Sequence, residues 1–233
     1  MKRERIWEID FLRGVAIALM VLFHLVYDLT EFYNWQLDYK TGFWVFIRRL
    51  SAVLFIFVAG ISSNFSSGSF SRVGQVCLAA ILVTAATYFF DRSLYVRFGI
   101  LHFIAMCMLM AIFLQKLKFK SVIISVSILA AIIIFYVYNV FFDFYTAFSI
   151  WGITSAPSGS MDYYPLIPWA GIFVLGLAWG KVFYVGKRRL LAAKLAGLPI
   201  VKALAFCGRN SLFIYLAHQP VLLLMLYFIR PLR

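Results

Sequence analysis

All three histidines of this 233-residue chain, His24, His102 and His218, fall inside strongly apolar runs and none in a loop. An ionisable side chain in hydrocarbon is costly enough to be read as functional by default. An imidazole changes charge near pH ~6.5, which suits it to proton transfer. His24 precedes Asp28 by four residues, one helical turn. A carboxylate so placed fixes the imidazole's tautomer and stabilises its charged form, the arrangement of a general base. The same spacing also fits a buried histidine bonded to a carbonyl, with Asp28 capping the outer helix end. At about 100° per residue, Asp10, Arg13, His24 and Asp28 share a stripe roughly 60° wide, and Asp10 and Arg13 are spaced to pair near the inner surface. His102 follows Arg97 by five residues, and His218 leads into Gln219 and Pro220, whose ring bends a helix and frees a carbonyl. This distribution favours a shared polar cavity over three separate packing roles. No close His spacing points to a metal, and none is expected.

The elements that must hold these groups are dictated by composition. Hydrophobic residues make up 64% and charged residues 13%, with a mean hydropathy of +0.92. Soluble domains sit near ~45–50% and ~25%. At roughly 20 residues per crossing, the apolar content supplies about seven helices. Continuous apolar runs lie at about 9–30, 43–65, 72–90, 96–115, 120–142, 164–184 and 209–229. Barrel strands would alternate instead. The expected fold is all-α, a polytopic membrane helix bundle of about seven spans forming a single domain over 1–233.

The net charge of +13 resembles a nucleic-acid signal until its location is considered. With the N-terminus inside, inner segments hold fourteen Lys and Arg against seven outside, the bias of a cytoplasmic N-terminus. No nucleic-acid partner is expected. Cys77, Cys107 and Cys207 fit neither a zinc motif nor an outer disulfide. The N-terminus, basic like a signal peptide, is interrupted by Asp10 and Arg13 and reads as the first span. Residues 143–163 form a long outer loop, and 186–205 a basic amphipathic stretch expected to lie on anionic lipid. Arg48, Arg49, Asp162, Tyr163 and Tyr164 flank outer span ends, either at a cavity mouth or as interfacial anchors. Gly208-Arg209-Asn210-Ser211 opens the last span, where Asn210 or Ser211 caps free N–H groups or the helix start receives an anion.

Five blocks occur in order along nearly the whole chain: Arg5-Ile-Trp-Glu-Ile-Asp10-Phe-Leu-Arg13-Gly14-Val-Ala16, running on to His24; Phe55-Ile-Phe-Val-Ala-Gly60-Ile-Ser62; Phe98-Gly99-Ile-Leu-His102; Asp162-Tyr-Tyr-Pro165-Leu-Ile-Pro168-Trp169; and Gly208-Arg209-Asn210-Ser211-Leu-Phe-Ile-Tyr215-Leu-Ala-His218-Gln219-Pro220. Together they resemble the heparan-α-glucosaminide N-acetyltransferase-like membrane acyltransferases. The resemblance implies a multi-helix enzyme that takes acetyl from cytosolic acetyl-CoA and delivers it to a sugar amine or hydroxyl across the membrane, with His24 at the position of the catalytic base. Lysosomal members carry Asn where His24 stands and a His in the following loop; residues 31–42 here contain none.

The assembled expectation is an acetyl-CoA-dependent N- or O-acetyltransferase of the cytoplasmic membrane, acting on a sugar or glycan, surrounded by lipid, and by resemblance a homodimer. His24, Asp28 and His102 are the expected catalytic residues: His24 as base or acetyl carrier, Asp28 as its orienter, and His102 or Arg97 at the oxyanion. Arg13, His218, Arg209 and Asn210 are expected to hold the acetyl-CoA, and Arg97, Arg49, Asp162 and Tyr164 the acceptor. The rival is a small proton-coupled transporter, since intramembrane His and Asp also build proton relays; it would show repeats, and none is visible.

Overall fold

A computed structural model describes residues 6–65, 70–93, 95–116, 162–184 and 193–229. The expected fifth span at 120–142, nearly all of the 143–163 loop and the basic run Lys187, Arg188, Arg189 lie outside them. The regular elements among the described residues are all helical: α1 (Trp7–Tyr33), α2 (Gly42–Ser63), α3 (Phe70–Phe90), α4 (Ile100–Lys116), α5 (Leu166–Trp179), which runs on into a π-helical turn at Gly180–Tyr184, a 3-10 turn (Ala193–Gly197), α6 (Pro199–Arg209) and α7 (Ser211–Ile229). Helices α1, α2, α3 and α7 are long and apolar enough to cross a membrane, and Ile100–Leu114 and Trp169–Tyr184 are shorter apolar helices. Large apolar side chains such as Phe89, Phe213, Phe228 and Ile229 point outward, which lipid rewards and water does not.

The chain divides into two compact units, one of Met1–Phe55 with Arg188–Arg233 and the other of Ile56–Lys187. In the first, α6 docks on the N-terminal turns of α1. A β-carbon on Gly14 would lie 1.9 Å from the Leu204 carbonyl oxygen, and one on Gly208 would lie 1.7 Å from that of Asp10. The two contacts run in opposite order along the helices, so α6 is antiparallel to α1. Small residues that let backbones touch are how helices associate where apolar burial gives no drive. The amphipathic segment expected to rest on lipid is therefore in part a packed helix, with Val201, Ala205 and Gly208 buried. The Ser51 hydroxyl ties α2 to α1 by donating to the Ala16 carbonyl at 2.9 Å.

Helix α1 stops at Asn34, which adopts φ 57°, while the Trp35 N–H bonds back to the Leu29 carbonyl, a left-handed cap that asparagine tolerates. The loop that follows is built by Asp38, whose carboxylate accepts the Lys40 and Thr41 N–H groups at 3.0 and 3.1 Å and the Thr41 hydroxyl. That hydroxyl, first among the contributing bonds, holds the Asp38 carboxyl below its ordinary range.

In the second unit, Gly60 and Gly176 repeat the device: β-carbons there would sit 2.1 Å from the carbonyl oxygens of Phe173 and Phe57. The span expected from residue 96 begins instead at Ile100. Phe98 forms a bridge with Tyr163, the Tyr164 N–H donates to the Phe98 carbonyl at 3.1 Å, and the Asp162 carboxylate takes the Ile100 N–H at 3.2 Å. Capping starts the helix there because its first N–H groups have no internal partner. The span expected to begin at 209 likewise opens at Ser211, after a break at Asn210.

Candidate active site

Helices α1 and α7 lie side by side in the first unit, and their contacts run in the same order, so they are parallel. At one level the Arg13 guanidinium donates to the Gly208 carbonyl and to Asp10, each at 3.4 Å. Farther along, the imidazoles of His24 and His218 pack with ring centroids 4.8 Å apart and planes tilted by 59°. A turn beyond His24, the Gln219 amide nitrogen donates to Asp28 Oδ1 at 2.6 Å. The expected pair of His24 with Asp28 is thus not made; Asp28 is fully buried and is held from the opposite helix by a neutral amide.

Hydrogen bonding assigns the histidine protons. In His218, Nδ1 lies 2.6 Å from the Tyr215 carbonyl. A carbonyl only accepts, so Nδ1 carries the hydrogen and Nε2 a lone pair. That Nε2 is buried without a hydrogen-bond partner, as are Asp28 Oδ2 and Gln219 Oε1. Buried polar atoms are normally satisfied, and a cluster that is not marks a place for ordered water or a ligand. Every atom in this cluster is an acceptor.

The ring of Phe23 packs edge-on to His24 and to Tyr39 from the loop, and Arg48 stands over Phe23 at 5.7 Å. Arg48 and Arg49 are both exposed; Arg48, rather than the Arg49 expected to bind the acceptor, stands over Phe23. Tyr39 donates to Glu31, and Lys40 pairs with the same carboxylate at 3.6 Å.

Three of the four residues expected to hold the acetyl donor gather at the α6–α7 junction. Besides Arg13, Arg209 stacks over Phe206 at 5.9 Å. Asn210 differs from expectation: its amide donates to the Phe206 carbonyl at 3.0 Å, so it closes the end of α6 rather than capping α7. The side chain reaches back because a helix end leaves its last carbonyls unpaired.

In the second unit, Thr84 on α3 donates its hydroxyl to the Val96 carbonyl at 2.8 Å. Having one proton, it must accept from His102 Nε2, 3.3 Å away. His102 Nδ1 is then a bare acceptor, buried without a hydrogen-bond partner. In this tautomer His102 offers a lone pair, which does not suit the expected oxyanion role, since that needs an N–H. Arg97 is exposed and stands 5.1 Å over Tyr95; Tyr164 packs on Trp169 with centroids 5.1 Å apart. Asp162 serves as the cap of α4, whose first turn carries His102.

Comparison with known proteins decides the family. A family model described as heparan-alpha-glucosaminide N-acetyltransferase, catalytic, matches residues 5–220. The chain belongs to this family. No curated protein and no solved structure matches significantly. Membership in the heparan-alpha-glucosaminide N-acetyltransferase family implies a membrane acetyltransferase, and the match takes in His24, Asp28, His218 and Gln219. Gln219 is the residue that sequence reasoning passed over: an uncharged amide before a proline carries no pattern of its own, and only its bond to a carboxylate 191 positions away gives it meaning.

Proposed function

We propose that the protein takes acetyl from cytosolic acetyl-CoA and transfers it to the amine or hydroxyl of a sugar at the opposite face of the cytoplasmic membrane. The contact of His24 with His218, in a chain matched to an acetyltransferase family over 5–220, carries this reading. His24 makes no hydrogen bond among the described residues, so either ring nitrogen is free to act. As general base it removes the acceptor's proton while the acceptor oxygen or nitrogen attacks the thioester carbonyl. The tetrahedral intermediate then collapses, the carbon–sulfur bond breaks, and the proton passes to the departing thiolate. The lone pair on His218 Nε2 makes that ring, whose centroid lies 4.8 Å from that of His24, a second proton acceptor for the step.

Arg13 and Arg209 at the α6–α7 junction are cations and suit the phosphates of the donor. From Asn210 to His218 is eight residues, about 12 Å of helix, a length for an extended pantetheine arm to bridge. The family match favours the acetyltransferase over the proton-coupled carrier, and the apolar flanks leave room for a homodimer in lipid.

The test is acetyl transfer by purified protein in detergent, with radiolabelled acetyl-CoA and a panel of amino sugars and neutral sugars. Wild type transfers label to one acceptor class and is thermally stabilised by CoA, whereas His24→Ala keeps the stabilisation and loses transfer. Unchanged transfer in His24→Ala removes His24 from the chemistry. Proton-coupled uptake without any CoA response would overturn the acetyltransferase reading itself.

A further inference from the structure

We propose that Gln219 is a positioning residue that sets the register of α7 against α1, and so the packing of His218 on His24. This rests on the acetyltransferase reading above and adds to it a residue that acts through the placement of His218.

Two adjacent rungs join the helices, His24 with His218 and Asp28 with Gln219. Asp28 follows His24 by one turn on the same face, and Gln219 directly follows His218 in the chain. Whatever fixes Asp28 to Gln219 therefore fixes the imidazoles. Other contacts hold α7 elsewhere: Tyr215 stacks on Phe55 of α2 with centroids 6.5 Å apart, Leu222 and Leu226 are buried farther along and Ser211 at its start, and the Arg13 bond to Gly208 acts on the end of α6; the Gln219 bond is the one that ties α7 directly to Asp28 beside the two rings. A fully buried carboxylate requires a donor, and the amide supplies one without adding a second charge. Gln219 Oε1 has no partner, so the bond to Asp28 alone orients the amide.

Three variants of the full-length protein test this. Gln219→Glu is isosteric and sets carboxyl against carboxyl. Gln219→Leu removes the donor. The exchange Asp28→Asn with Gln219→Glu restores one donor and one acceptor with their positions reversed. Two measurements are made: kcat and KM for acetyl transfer, and the ring-proton resonances of His24 in histidine-labelled protein, which the neighbouring His218 ring shifts. Gln219→Glu is expected to lose at least tenfold in kcat with KM for acetyl-CoA within twofold, and to lose the His24 ring shift. The exchange should recover both to near wild type. Retained kcat and ring shift in the single variants would overturn the proposal, as would loss of both in folded protein without recovery in the exchange. Should Gln219→Leu fail to fold, the two isosteric variants decide. If wild type transfers no acetyl, the acetyltransferase reading fails on its own, and the resonance arm still decides whether Gln219 positions the rings.

Discussion

The carbonyl oxygen of Asp10 occupies the space that a β-carbon on Gly208 would need, only 1.7 Å from it. Backbone does not yield as a flexible side chain would, so Gly208→Ala must push α6 off α1. Overpacking of this kind costs about 1–3 kcal/mol, and the upper end applies because both contacting groups are main chain. For a chain of this size that lowers Tm by roughly 6–12 °C. Gly14→Ala should do the same. Gly74→Ala is the control: no atom lies within 4 Å of its β-carbon, and alanine favours α3 by up to ~1 kcal/mol. Thermal unfolding in detergent measures all three; equal Tm values for Gly208→Ala and Gly74→Ala would mean the α1–α6 contact does not form.

His218→Asn removes the free lone pair next to His24 while leaving an amide able to reach the Tyr215 carbonyl. A lost proton-transfer partner costs about 10²–10⁴-fold, and we expect the low end of that range in kcat with little change in KM for acetyl-CoA. A rise confined to KM would instead assign His218 to donor binding. Steady-state kinetics at saturating acceptor separates the two.

Asp162 caps α4, so its replacement should act first on stability. Asp162→Ala forfeits the acceptor for the Ile100 N–H, worth about 1 kcal/mol at a helix start and roughly 2–4 °C in Tm. Asp162→Asn keeps an oxygen there and should keep Tm. If Asp162→Asn also leaves acceptor KM untouched, the carboxylate's place is structural.

The phenol of Tyr39 is pushed up to about 12, first by burial and then by its bond to Glu31. A raised acid stabilises the fold while protonated: the contribution is complete below the ordinary value near ~10 and is lost as pH climbs through about 12. The ultraviolet difference titration between wild type and Tyr39→Phe should therefore show its missing phenol ionising above the bulk of the tyrosines. Ionisation together with the bulk would mean that the loop does not close onto Glu31.

The stripe on α1 was legible in the sequence because helical periodicity is local: Asp10 and Arg13 pair as their three-residue spacing requires. So were the long spans, whose apolar runs admit little else. The partners of His24 and Asp28 were not legible. Spacing within one helix made Asp28 the neighbour of His24, yet both turn to α7, and nothing local in 24–28 encodes residues 218 and 219. The start of α4 was misplaced for a similar reason, since Asp162 acts on it from 62 positions away. Asn210 was read forward onto the helix it precedes; the end of α6, invisible as a separate element inside a continuous apolar run, claimed it instead.

Helix α7 runs through Pro220, and proline brings no amide hydrogen, so the Leu216 carbonyl lacks its usual donor. A ladder short of one rung opens there before it opens elsewhere. Deuterium from bulk solvent should therefore reach the amides flanking Pro220 early, while those of α1 opposite still hold their protons, giving α7 the faster clock of the two helices.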